Sequence, residues 1–241
     1  GELRREPPRD RLVWIQSAGL SLSETEPSAM VSRATEEMAL LDAGLATLRD
    51  AVHAFRHASG GELLFVLTAA QGGALGEQDR LPEHSRLPNE LRPLNEPAVH
   101  APLMIGLPGE LGARRRELVQ TVDLAPTIVD WFGVPVDNPG FAGMSLLPLV
   151  EAANVSHAAA PREFLCYGDG CRAFGIRGRE FSLLTTPEAL RADGESPAGG
   201  GHRLFVKPDD VWDVHDVADQ EPEIVDSLVG ELRAFLSRVE S

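Results

Sequence analysis

His53 and His57 stand four apart within a helical pattern, a spacing that can bring two imidazoles to one zinc ion. No third ligand follows at a recognisable spacing, so a solvated helix face accounts for them more simply. Cys166 and Cys171 form a single Cys-x4-Cys pair. It would suit a hairpin disulfide, part of a metal site, or two ordinary thiols near a turn, the last needing the fewest assumptions. Arg114-Arg115-Arg116 is a basic cluster that could grip an anionic group through guanidinium hydrogen bonds, although such a run after a turn is commonly solvated. Between residues 209 and 226 lie Asp209, Asp210, Asp213, Asp216, Asp219, Glu221, Glu223 and Asp226. They lack EF-hand spacing and read as a solvated acidic face leading into a helix N-terminus. His84 and His100 flank a long polar loop.

These groups need a scaffold, and hydrophobic periodicity supplies its outline. Residues 12–17 read as a short buried strand. From about Ser28 to Ala58, Val31, Ala34, Met38, Leu41, Leu45, Leu48, Val52 and Phe55 recur three and four apart, which predicts an amphipathic helix. The pattern suits a coiled coil too, but it carries Gly44 and ends after one element, so a helix covering a sheet is expected, stopped by Gly60-Gly61. Residues 62–68 are apolar on both faces, as in a central parallel strand, and suggest a βαβ unit. Residues 69–101, with glycines and prolines, predict a long functional loop before a second buried strand at 102–107 and a Pro108-Gly109 turn. Asp123 as N-cap, Pro126 in the first turn and Gly133 past the end predict a short helix.

Residues 151–161 are alanine-rich and linker-like, and their Asn154-Val155-Ser156 sequon carries no weight without a sign of secretion. Short antiparallel strands are expected at 163–167, 172–177 and 180–185, then a flexible insert at 187–202, and strands at 204–206 and 211–214. Val225, Leu228, Leu232, Phe235 and Val239 predict a covering helix from Pro222 to Val239.

The 241 residues carry a formal charge of −15, with 43% hydrophobic and 24% charged residues, an ordinary globular balance. Such acidity disfavours nucleic acid and anionic membranes as partners. No apolar run approaches the ~18 residues of a membrane span. The Gly-Glu-Leu-Arg-Arg start shows no leader, so a cytoplasmic location is the default expectation. Lys207 is the only lysine among the cations, a bias read as compositional.

Five segments together carry a family likeness. Val66-Leu67-Thr68-Ala69-Ala70-Gln71-Gly72-Gly73-Ala74-Leu75-Gly76-Glu77 resembles the sulfatase motif Thr-Ser-Asp-His-Gly-Glu-x-Leu-Gly-Glu after a strand. Pro102-Leu103-Met104-Ile105 with Pro108-Gly109 is similar to that family's Val-Pro-Leu-Ile-Ile and Pro-Gly pair. Val122-Asp123-Leu124-Ala125-Pro126-Thr127, Gly143-Met144-Ser145-Leu146-Leu147-Pro148-Leu149 and Val211-Trp212-Asp213-Val214 resemble three later motifs, in the same order. The resemblance implies an α/β fold of the sulfatase and alkaline-phosphatase-like kind: a mixed sheet flanked by helices, then a smaller C-terminal antiparallel sheet and a terminal helix. It divides the chain into a tail at 1–10, the C-terminal part of the α/β domain at 11–160, and the small sheet with its helix at 161–241.

In active members the resemblance implies an Asp that binds a divalent cation such as calcium, followed by a His. The matching positions here are Ala70 and Gln71. A methyl group offers no ligand, and a carboxamide is neutral and shuttles no proton near pH 7. The family's Cys/Ser-x-Pro-x-Arg nucleophile and its paired aspartates are absent, and Gln16 stands near the place of a usual Pro-His pair. A metal site and catalytic residues are therefore not expected, and no cofactor is. The expectation is a pseudoenzyme with a binding or structural role, whose old pocket is lined by Gln16, Thr68, Ala70, Gln71 and His100. Its partners would be the N-terminal half of the same domain and a sulfated or phosphorylated small molecule or glycan. Two alternatives stand beside it: an ester hydrolase whose nucleophile lies in a missing N-terminal segment, and a glycan or small-anion binding module.

Overall fold

The structure, a computed structural model, describes residues 12–16, 27–59, 62–73, 78–106, 112–135, 140–151, 162–170, 172–192 and 201–239. The expected tail, the Gly60-Gly61 stop, the Pro108-Gly109 turn, the sequon, most of the 151–161 linker and Cys171 lie outside the described residues.

The helix expected from residue 28 is α1, Pro27–Ser59. Its Ala, Leu, Met, Glu and Arg content favours the helical backbone over its 33 residues, with Gly44 the one costly interior residue. Its apolar stripe is not covered as expected. Ala34 is buried, whereas Val31, Met38 and Phe55 are 43%, 54% and 61% exposed. Residues 12–16 belong to no helix or strand, and Leu12, Val13, Trp14 and Ile15 are all more than half exposed, which corrects the buried strand expected there.

Strand β1, Phe65–Thr68, pairs antiparallel with β2, Leu103–Gly106, in a two-stranded sheet. The expected central parallel strand is thus corrected. Its all-apolar sequence suits burial on both faces, but pairing is settled by which strand lies alongside, and among the described residues that is β2. Both strands are only half-buried, and Met104 on β2 is 60% exposed. Between them, the long loop organises into three 3-10 turns (Gln78–Arg80, Glu83–Ser85, Arg92–Leu94) and the short helix α2, Glu96–Val99, capped by the Asn95 side chain accepting from the Ala98 amide.

The short helix α3 runs Leu124–Trp131, with Gly133 just past it at φ +59° as expected. Asp123 does not cap it as an N-cap side chain. A 3-10 turn at Thr121–Asp123 precedes the helix, and Asp123 turns back to accept from the Gln120 amide in a capping box. The Asp123 carboxylate, fully buried, also receives both guanidinium nitrogens of Arg162 at 2.7 and 2.8 Å and the Met144 amide at 3.0 Å. Helix α4, Leu147–Glu151, follows.

The second sheet is an antiparallel meander of β3 (Leu165–Asp169), β4 (Ala173–Arg177), β5 (Phe181–Thr185) and β6 (His202–Val206). The three strands expected from 163 to 185 are these, shifted by one or two residues. Part of the expected insert is instead helix α5, Pro187–Arg191, with Thr186 as N-cap and Pro187 opening the first turn. Residues 211–214 form a turn, not a strand, with Asp213 at φ +54°. Helix α6 runs Pro222–Val239, as expected.

Alternation along the strands sends Ile176, Leu183 and Leu204 to one face, where they pack with Val225, Leu228, Val229 and Leu232 of α6. Ala173, Leu184 and Phe205 point to the other face, which the loop residues Leu87, Leu91 and Leu94 cover. The long loop is therefore a packing layer over much of its length.

Candidate functional site

The end of β1 is the first place to look. Thr68 pairs with Leu103, and its hydroxyl reaches the Ala69 carbonyl at 3.4 Å. Ala70 and Gln71 follow in a bend, both exposed. The Gly72 amide then donates to the Ala98 carbonyl at 2.7 Å, and a Cβ on Gly72 would fall 2.1 Å from the Pro97 carbonyl oxygen and 2.9 Å from that of His100. Only glycine lets the backbone come this close. The strand end and His100 are thus held side by side. Gln16 is exposed in the segment 12–16, and among the described hydrogen bonds none joins it to Thr68, Ala70, Gln71 or His100.

Beneath this strand end lies an ionic cluster that sequence reasoning missed. Glu96 opens α2. Its carboxylate takes His100 Nδ1 on one oxygen at 3.4 Å, and Arg177 Nε and Lys207 Nζ on the other at 3.3 and 3.4 Å. Lys207 Nζ also donates to Asp213 Oδ1 at 2.6 Å and to the Asp210 carbonyl at 2.5 Å. Asp213 Oδ2 in turn accepts the Glu96 amide at 2.5 Å. Lys207 and Asp213 are 4% and 2% exposed. The acidic stretch is accordingly no uniform solvated face. Asp213 is in the core, Asp210 accepts the Val214 and His215 amides, and Asp216 binds Arg203 and the Leu204 amide. Gln78 ties the long loop to the same corner, donating to the Trp212 and Asp213 carbonyls and accepting from the Leu87 amide. The one available signal was a lone lysine in an arginine-rich chain, with Asp210 and Asp213 close after it; Glu96 and Arg177 lie far from it in sequence.

Burial alone would raise the Glu96 carboxyl, but the hydrogen bond with His100 and the charges of Lys207 and Arg177 outweigh it and bring it down to about 2. The same hydrogen bond to Glu96 raises His100 above its ordinary value against the opposing effect of burial. Burial pushes Asp213 upward, countered by the charge of Lys207 and by its hydrogen bond. Tyr167 on the same sheet face is raised by burial, its hydroxyl 3.4 Å from the Ser182 hydroxyl. Cys166 is a free thiol raised to about 11, first by burial, so it is protonated and a poor nucleophile near neutral pH.

The described residues at the β1 end do not suit a divalent cation. Ala70 and Gln71 bring a methyl group and a neutral amide, and the Glu96 carboxylate is engaged by His100, Arg177 and Lys207. Among the described residues, no group of three or more His, Cys, Asp or Glu side chains could hold a metal ion. His53 is exposed on α1, and the side chains of His57 and His84 lie outside the described residues. Residues 114–116 lie outside any helix or strand and are exposed. An open cleft of about 450 Å³ lies elsewhere, lined by Val206, Asp209, Asp210, Trp212, Val214, His215 and Val217. No described helix is long and apolar enough to cross a membrane.

No family model matches the chain, and no curated protein matches it. Solved structures do. A protein in complex with its substrate D-glucosamine-2-N,6-O-disulfate superposes over 88% of this chain with a TM-score of 0.54 and 21% identity. A 4S-sulfatase from the glycosaminoglycan metabolism of Bacteroides thetaiotaomicron superposes over 88% with a TM-score of 0.63 and 14% identity. The chain has a sulfatase-like fold. It spans 40% and 45% of the lengths of these two sulfatase-like neighbours. At such identity the likeness concerns the path of the backbone, and the chemistry of the sulfatase-like chain rests on its own side chains.

Proposed function

We propose that this chain forms the later part of a sulfatase-like domain and has a structural and binding role, with no hydrolase activity by itself. One observation carries the reading. The strand end that would need a metal-binding carboxylate and an imidazole presents Ala70 and Gln71, and the Glu96 carboxylate behind it is committed to His100, Arg177 and Lys207. Hydrolysis of a sulfate ester needs a nucleophile and a means of stabilising charge that builds on oxygen. Neither Ala70 nor Gln71 provides one.

The ligand class this reading favours is a sulfated or phosphorylated small molecule or glycan, held near the strand end. The exposed His100 ring, whose protonated form Glu96 favours, and the exposed Gln71 amide are groups near the strand end that can donate to an ester oxygen. One neighbour's complex with a disulfated glucosamine supports that class. The test is direct. Purified protein is incubated with 4-nitrophenyl sulfate and 4-nitrophenyl phosphate, with calcium and then with a chelator. No turnover and no calcium-dependent rise in melting temperature are expected. Turnover that depends on calcium overturns the proposal.

A further inference from the structure

Trp212 stands on the loop that follows β6, and its side chain is 48% exposed. The backbone beneath it is pinned. Gln78 donates to the Trp212 and Asp213 carbonyls, and Lys207 Nζ to the Asp210 carbonyl and the Asp213 carboxylate. The Asp210 carboxylate accepts the Val214 and His215 amides. Asp213, in the left-handed region at φ +54°, turns the chain directly after Trp212. A large ring on so constrained a turn gives up little conformational freedom when a ligand stacks on it. Trp212 lines the open cleft of about 450 Å³ with Val206, Val214 and Val217, and with Asp209, Asp210 and His215. A few polar groups on an apolar wall are the usual make-up of a small-molecule site.

Two features decide which molecule suits this cleft. The first is charge. Asp209 is exposed and makes no ion pair among the described residues. The cations closest in sequence are committed elsewhere, Arg203 to Asp216 and Lys207 to Asp213 and Glu96. An anion is disfavoured there, and a cation is drawn both to the carboxylate and to the face of the indole. The second feature is hydrogen bonding. The Val206 carbonyl accepts the Asp210 amide, the Val217 carbonyl accepts the Gln220 and Glu221 amides, and the Asp210 and Trp212 carbonyls accept from Lys207 and Gln78. A ligand with many N–H donors meets acceptors already engaged. A cation whose charge is wrapped in methyl groups needs no acceptor, and it gains from contact with valine methyls. We propose that this cleft binds a small quaternary ammonium ion, its charged centre over the Trp212 indole, its methyl groups against Val206, Val214 and Val217, and Asp209 as the counter-charge. The site is separate from the end of β1 and does not rest on the reading given for it.

The test titrates the isotope-labelled full chain with tetramethylammonium chloride, and with sodium chloride and guanidinium chloride at matched ionic strength. Nuclear magnetic resonance follows the indole N–H signals of Trp14, Trp131 and Trp212, the last identified by its loss in Trp212→Phe. A saturable shift at Trp212 alone, with tetramethylammonium alone, is expected. Followed instead at the Val214 and His215 amides, the affinity is expected to fall about tenfold in Trp212→Leu and roughly threefold in Asp209→Asn. Trp212→Phe, which keeps an aromatic face, should lose less than Trp212→Leu. Both residues are exposed, so the variants should keep the melting temperature of the unaltered chain. If Trp212→Leu does not fold, Trp212→Phe and Asp209→Asn carry the same comparison. No saturable shift at Trp212, an equal response to sodium or guanidinium, shifts at all three tryptophans, or affinity unchanged in the variants overturns the proposal. None of these readouts involves ester turnover, so the aryl sulfate assay can fail or succeed separately.

Discussion

Two regions of this chain both carry apolar faces and have opposite outcomes. Around the C-terminal meander, Ile176, Leu183, Leu184 and Leu204 have no exposed surface, and both faces of the sheet are covered, one by α6 and the other by residues 87–99. Around α1 and the β1–β2 pair, residues of the same kinds stand in water. Both helices show apolar repeats of helical period. They differ in what lies opposite: α6 meets four paired strands, and α1 meets no comparable layer among the described residues. An amphipathic sequence therefore states that a face wants burial, and only the presence of a matching surface decides whether burial happens. Among the described residues the first region is a closed core, and the second has an apolar face left in water.

The sharpest way to break this contrast is at the buried ion cluster. Lys207→Ala leaves Asp213 buried without its cation and should cost about 3–5 kcal/mol in urea unfolding. A loss below 1 kcal/mol would mean that the C-terminal region is looser than described. Next comes the hydrophobic seam. Leu232→Ala on α6, at 1% exposure, should cost roughly 2–5 kcal/mol by the same measurement.

Acid titration probes the cluster from another side. The Glu96 carboxyl is held at about 2 against an ordinary 4.5, so its contribution is complete above pH 4.5 and is lost as the pH falls toward 2. A stability loss on the order of 2–3 kcal/mol is expected across that window, and Glu96→Gln should flatten it. His100 works in the opposite sense. Its pKa is raised, so its share is full below 6.5 and fades as the pH climbs through the raised value. That share is small, because the ring is 71% exposed and screened by water. Smallest of all is the effect of Met38→Glu on α1, expected within about 0.5 kcal/mol in the isolated chain. A large loss there would show that α1 is covered after all, and the two regions would cease to differ.

Several expectations turned on residues whose meaning is local, and these were legible. The Pro222–Val239 helix follows from apolar spacing, the hairpins from short strands between glycine turns, and Gly133 from the left-handed backbone that ends a helix. The Thr186-Pro187-Glu188 start of α5 carried an equally local capping signal, hidden by the glycine-rich stretch after it. Asp123 was legible as belonging to a helix start, but the sequence did not say that it would turn back to Gln120 and take Arg162 from 39 residues away.

The candidate site divides along the same line. By itself, the sequence determined that the two positions after Ala69 carry a methyl group and a carboxamide, because that depends only on which atoms Ala70 and Gln71 have. Tertiary structure alone decided that Gly72 brings the strand end against His100, that residues 62–68 pair antiparallel, and that Glu96, Arg177, Lys207 and Asp213 share one buried corner. The physical reason is range. Backbone preference and side-chain chemistry act within a few residues, whereas charge pairing and burial are fixed by whatever the fold sets opposite, and no spacing in the chain records that.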